Sequence, residues 1–166
     1  MQFKGLALVA SAILFAACGG GSDSQPAADT APAATAEATP AAAPAGAATA
    51  APATGTVHEI KMLGDEKGFR YEPANITIKQ GDAIKFVGVS GFPHNVAFVG
   101  TGLADAVKAQ LNANLGPARM MDLSSQMYLA AGEGFTMSFA NIPPGQYEYN
   151  CTPHLAMNMK GVITVQ

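Results

Sequence analysis

Near its C-terminus the chain reads Cys151-Thr152-Pro153-His154-Leu155-Ala156-Met157-Asn158-Met159-Lys160-Gly161, which puts a thiol, an imidazole and a thioether in one short stretch, in the order C-x2-H-x4-M. Soft sulfur donors beside imidazole select copper among the first-row metals. Two imidazoles and a thiolate in one plane, with a weak axial thioether, suit one-electron chemistry. The stretch lacks a second histidine. His94, in Gly91-Phe92-Pro93-His94-Asn95-Val96-Ala97-Phe98, can supply it if folding brings the two segments together. Met157 competes with Met159 for the axial place. Each residue alone has a plainer reading: a buried small hydrophobe for the cysteine, filler for the methionine. Their joint spacing points to a metal.

The chain holds 2 cysteines. Cys18 ends Phe15-Ala16-Ala17-Cys18 after the apolar run Leu6 to Ala17, which follows Lys4. That run is short for a membrane span and reads as a signal peptide over residues 1–18. Its end resembles the lipobox of bacterial lipoproteins, which implies lipidation at Cys18 and a place on the outer, periplasmic or extracellular face of a bacterial membrane. Cys151 is then a lone thiol in an exported protein, exposed to oxidation unless something holds it. A metal does so.

The elements that must position these ligands begin late. Residues 19–55 are nearly all Ala, Pro, Thr, Gly and Ser, with no large apolar side chain to offset the entropy of ordering. They read as a disordered tether that would reach on the order of 120 Å when stretched. The folded domain is residues 56–166, enough for one modest core. Val57 to Leu63, Asn75 to Lys79, Ala83 to Val89, Val96 to Val99, Phe135 to Phe139, Tyr147 to Cys151 and Gly161 to Gln166 read as short strands. Tyr147, Tyr149 and Cys151 share a face. Leu103, Ala106, Val107, Gln110 and Leu111 predict a helix over Leu103–Asn112, ended by Gly116-Pro117. Arg119 to Ala131 reads as an irregular, methionine-bearing excursion, with Met120, Met121 and Met127 as packing or surface residues. Many short strands and one inserted helix predict an all-β sandwich.

These segments resemble the cupredoxins, plastocyanin and pseudoazurin in particular. The likeness rests on Gly91 to Phe98, on Pro144-Gly145-Gln146-Tyr147-Glu148-Tyr149, on Cys151 to Met159 and on the strand to Val165, and it fades across residues 101–134. It implies a Greek-key β-sandwich holding one copper ion, with His94, Cys151 and His154 as strong equatorial ligands. Met159 is preferred as the weak axial one, because Met-x-Gly leads straight into the last strand as in longer-loop relatives. Asn95 would brace the ligand loop at Thr152 by a hydrogen bond. Gly91, Pro93 and Leu155 would form an apolar rim around His154, the route for electrons. The partners implied are redox proteins, cytochromes or a copper oxidase or reductase, with the membrane engaged through the lipid and the domain monomeric. Asn150 stands where plastocyanin often has a tyrosine before the ligand cysteine, so the photosynthetic donor role does not carry over.

Other classes fit less well. The chain carries 9 basic and 12 acidic residues and no basic stripe, which gives nucleic-acid binding no electrostatic footing. A structural zinc site wants a second Cys/His pair. A cysteine nucleophile wants an orienting group and an oxyanion site, neither legible here. A multicopper enzyme needs more than the 3 histidines present, of which His58 has no partner pattern and reads as a strand-surface residue. A copper carrier is the rival that uses the same ligands.

Overall fold

The computed structural model describes residues 48–166. The expected signal segment, Cys18 and the tether up to residue 47 lie outside the described residues. The expected sandwich forms from two sheets. One has the order β2-β1-β4-β8, the other β3-β10-β9-β5-β7-β6. The strands are β1 (Val57–Asp65), β2 (Gly68–Glu72), β3 (Asn75–Ile78), β4 (Ala83–Gly88), β5 (Ala97–Phe98), β6 (Arg119–Met121), β7 (Ser124–Ser125), β8 (Gly134–Ser138), β9 (Gly145–Asn150) and β10 (Lys160–Val165). Helix α1 is Asp105–Leu115, and Thr152–Met157 is a 3-10 segment.

Period-two alternation decides which side chains meet between the sheets. In β9, Tyr147 and Tyr149 are buried while Gln146 and Glu148 face water. Ile84 and Phe86 of β4 and Met137 of β8 come from the opposite sheet, all fully buried. Phe86 meets Tyr149 edge to face at 5.9 Å, and Tyr71 lies 4.6 Å from Tyr149. These rings lock the sheets face to face.

Residues 101–134 differ most from expectation. Helix α1 starts two residues later and ends three residues later than the apolar pattern predicts. Ala104 is extended, and Gly116, with φ 82, ends the helix. The last turn is held because Leu111, Asn114 and Leu115 are buried there, and the Asn114 amide donates to the carbonyls of Ser138 and Ala140. Gln110, expected on the apolar face, instead donates to Asn114 Oδ1 and to the Thr49 carbonyl. The expected irregular excursion contains the hairpin β6–β7, which extends the six-stranded sheet with Met120 and Met121 exposed on its edge. Leu123 takes φ 60 at the turn, a conformation that leucine does not advertise in sequence.

Part of the stretch assigned by composition to the tether touches the domain. Ala51 N–H donates to Asn114 Oδ1, and the N–H groups of Thr54 and Gly55 both donate to the Gly81 carbonyl. Gly81 lies in the turn before β4. His94 and Cys151 follow the far ends of β4 and β9, and each of these six-residue strands spans roughly 20 Å. The chain therefore enters the domain at the end opposite these residues.

Asp82 pins that entry. Its carboxylate accepts N–H bonds from Lys79 and Thr56 and lies 2.9 Å from His58 Nε2, so His58 is paired rather than a bare surface residue. The Lys79 N–H and then His58 hold the carboxyl at about 2, below the ordinary 3.8. A depressed carboxylate stabilises the fold above its unfolded pKa, and that contribution is lost as pH falls through the folded value. Thermal melts should therefore show a fall in Tm between about pH 4 and pH 2 that is smaller in Asp82→Asn, alongside a lower Tm at neutral pH. Identical pH profiles for both proteins would rule this pairing out as a contributor.

Candidate metal centre

Strand β9 delivers Cys151. Its alternation puts Tyr149 inward, Asn150 half-buried and Cys151 inward again, fully enclosed. The loop then closes on itself: Cys151 N–H donates to the Met159 carbonyl, His154 N–H to the Cys151 carbonyl, and Met159 N–H to the His154 carbonyl. Asn158, at φ 64, reverses the chain into β10. This neck fixes Cys151, His154 and Met159 relative to one another. His94 reaches them from 57 residues away. Its backbone exchanges both N–H···O bonds with Tyr128, so the segment before β8 clamps the histidine in place.

The three donors converge. Ligand atoms of His94, Cys151 and His154 lie within 4.8 Å of one another, and all three residues are buried. Cys151 Sγ is 3.7 Å from His94 Nδ1 and 3.5 Å from His154 Nδ1. An ion about 2.0 Å from nitrogen and about 2.3 Å from sulfur separates such donors by roughly 3.5–3.7 Å at tetrahedral to trigonal angles. The spacing fits a metal. His94 Nε2 donates to the Ser90 carbonyl at 2.7 Å, which leaves the Nδ1 lone pair turned to the thiol.

Electrostatics agree with that fit. Burial pushes the Cys151 thiol up, while the backbone N–H groups of Asn95 and His154 pull it partly back. Burial lowers both imidazoles, with the nearby His94 lowering His154 further. Neutral nitrogens are what a cation needs, and its charge takes over from the thiol proton.

Asn95 and Thr152 are joined by two hydrogen bonds. Thr152 N–H donates to Asn95 Oδ1 at 2.7 Å, and Asn95 Nδ2 donates to Thr152 Oγ1 at 3.1 Å. Three contacts were not legible in the sequence. Phe69 of β2 stacks on His154, centroids 3.8 Å apart and planes within 18°. Tyr71 donates its hydroxyl to the Asn95 carbonyl, and Asn95 Nδ2 also donates to Ser124 Oγ. The alternation Phe69-Arg70-Tyr71 marks a strand but says nothing of what its rings meet. Of the two methionines, Met159 is fully buried and Met157 is 52% exposed. Of the expected rim, Leu155 is 51% exposed and Pro93 is exposed. Gly91 is half-buried, at φ 77, and a Cβ there would collide with the backbone of Gly64, so it contributes close packing more than surface. His154 itself is only 5% exposed.

Residues 58–166 match the family described as copper binding proteins, plastocyanin/azurin family. The chain belongs to this family. Its members are copper-based electron carriers and not enzymes, and the His94–Cys151–His154 cluster is the candidate copper site of this one. Among curated relatives, chloroplastic plastocyanin of Physcomitrium patens is 35% identical over 114 residues, 68% of this chain and 60% of that one. Plastocyanin of a Synechococcus strain is 34% identical over 69% of this chain and 76% of its own length. The oxidised plastocyanin of Dryopteris crassirhizoma superposes with a TM-score of 0.51 at 32% identity, covering 65% of this chain and 99% of that one.

Proposed function

We propose that this cupredoxin is a one-electron shuttle that would hold a single copper ion through His94, Cys151 and His154, with Met159 as a weaker fourth ligand, at the outer face of a bacterial membrane. The convergence of one thiol and two imidazole nitrogens within 4.8 Å carries the reading. Copper, when bound, supplies a couple between the +1 and +2 states. The chain's own residues keep the donors nearly still through that change. The Ser90 carbonyl holds the proton on His94 Nε2, Asn95 and Thr152 tie the two ligand segments together, and Phe69 covers the face of His154. Little rearrangement then opposes transfer.

The enclosure favours a shuttle over a carrier. A carrier must surrender its ion, whereas His94, Cys151 and Met159 are each fully buried. Met159 is the better axial candidate for the same reason, since Met157 faces water. Lipidation at Cys18 and the tether of residues 19–55 are part of this proposal. The described chain enters the domain at the pole opposite the copper ligands, so the entering segment does not cover the end where redox partners would dock. A tethered domain also meets such partners at raised effective concentration.

Copper added to the purified protein should produce an intense sulfur-to-copper band and a one-electron wave, with slow metal release to a chelator. No band, or release within seconds, overturns the shuttle. Docking is assigned to Leu155 and Pro93. Leu155→Glu should slow electron transfer to membrane partners roughly tenfold, equivalent to about 1.4 kcal/mol of association, with the visible band unchanged. Equal stopped-flow rates would remove this surface from the route.

A further inference from the structure

The hairpin β6–β7 is an excursion that electron transfer as such does not require, yet it reaches the ligand loop through one side chain. We propose that Ser124 is a positioning residue of the copper centre, setting the Asn95 amide that in turn holds Thr152 and, beside it, Cys151. This rests on the copper reading above.

Asn95 is fully buried, and its side chain spans two chain segments. Oδ1 accepts from Thr152 N–H, and the two Nδ2 hydrogens have two acceptors, Thr152 Oγ1 at 3.1 Å and Ser124 Oγ at 2.9 Å. Ser124 is 1% exposed, and its own hydroxyl proton goes to the Ser125 carbonyl at 3.1 Å. The oxygen is therefore committed as an acceptor toward Asn95. A planar amide held on Ser124 at one N–H has its other N–H and its oxygen aimed at Thr152, so the plane is fixed by three points. Take away the serine oxygen and one N–H is left buried with no acceptor, which the amide can relieve only by turning. Turning it loosens Thr152 N–H, the bond nearest to Cys151. The neighbour Ser125 is a natural control. It is equally buried, but its Oγ accepts from Val96 N–H and donates to the Gln126 carbonyl, with no bond to the Asn95 side chain.

The test compares the full copper-loaded chain with its Ser124→Ala and Ser125→Ala variants by voltammetry, EPR and visible absorption, with thermal melts run in parallel. Ser124→Ala should move the Cu(II)/Cu(I) equilibrium three- to tenfold, the upper end being about 59 mV for a one-electron couple, and should alter the copper hyperfine splitting. Ser125→Ala should lower Tm while moving that equilibrium less than twofold. In an Asn95→Ala background, Ser124→Ala should add no further shift. Ser124→Cys, close in shape with a weaker acceptor, should move the couple in the same direction by less, and it decides the matter if the alanine variant does not fold. An unchanged couple in the folded Ser124 variants, an equal shift from Ser125→Ala, or a full shift in the Asn95→Ala background overturns the proposal. Failure of the unsubstituted protein to form the sulfur-to-copper band would instead overturn the copper reading itself.

Discussion

Cys151→Ser is expected to abolish the visible band of the copper-loaded protein and to leave its copper-free form folded. Cys151 is a buried free thiol, the described residues' one soft anionic donor at the cluster. A serine hydroxyl does not ionise at neutral pH and cannot give a thiolate-to-copper transition, so only two imidazoles and a weak thioether remain and affinity collapses. The fold should survive because the cavity loses almost no volume, and the N–H groups of Asn95 and His154 that face the sulfur can be accepted by an oxygen. A cost of about 1 kcal/mol, roughly 4 °C in Tm, is the expected scale for that exchange. Copper should raise the Tm of the native protein and leave that of the variant unchanged, because only a ligand that binds the folded state stabilises it. Calorimetry with and without copper reads this directly. A surviving band would mean that the thiol is not a ligand.

The second large effect separates the two methionines. Met159→Leu should raise the reduction potential by at least about 60 mV, a tenfold change in a one-electron equilibrium. Removing a weak donor costs Cu(II) more than Cu(I), because the higher charge gains more from each ligand. Met159→Gln, which offers an oxygen, should lower it. Met157→Leu should leave the potential within a few millivolts, since Met157 is half exposed whereas Met159 is enclosed behind the hydrogen-bonded neck of the loop. The leucine variant at 159 should still fold, as Met-to-Leu exchanges conserve volume and usually cost under about 1.5 kcal/mol. A potential that follows position 157 would assign the axial place to the other methionine.

The sandwich was legible because its strands obey a local rule. Alternation in Asn75–Ile78, Ala83–Gly88 and Gly145–Asn150 is imposed by the pleat, and each of these strands is found within two residues of where the pattern puts it. The C-x2-H-x4-M loop was legible for a related reason: covalent spacing keeps its three donors close whatever else the chain does. The helix was only half readable, because its last turn is set by Asn114 reaching the carbonyls of Ser138 and Ala140, partners remote in sequence. The hairpin β6–β7 was missed because strands of two and three residues are too short to show a period.

By itself, then, the sequence determined the donor types, their order and the strands that carry them, since these depend on bonds and on neighbours one to four residues away. Only the tertiary structure decided that His94 meets Cys151, that Phe69 lies flat on His154, that Ser124 closes the Asn95 amide and that Met159 is inside while Met157 is out. Those choices belong to contacts between segments dozens of residues apart. They are settled by how two sheets pack, a free energy shared over the whole core and written at no single position.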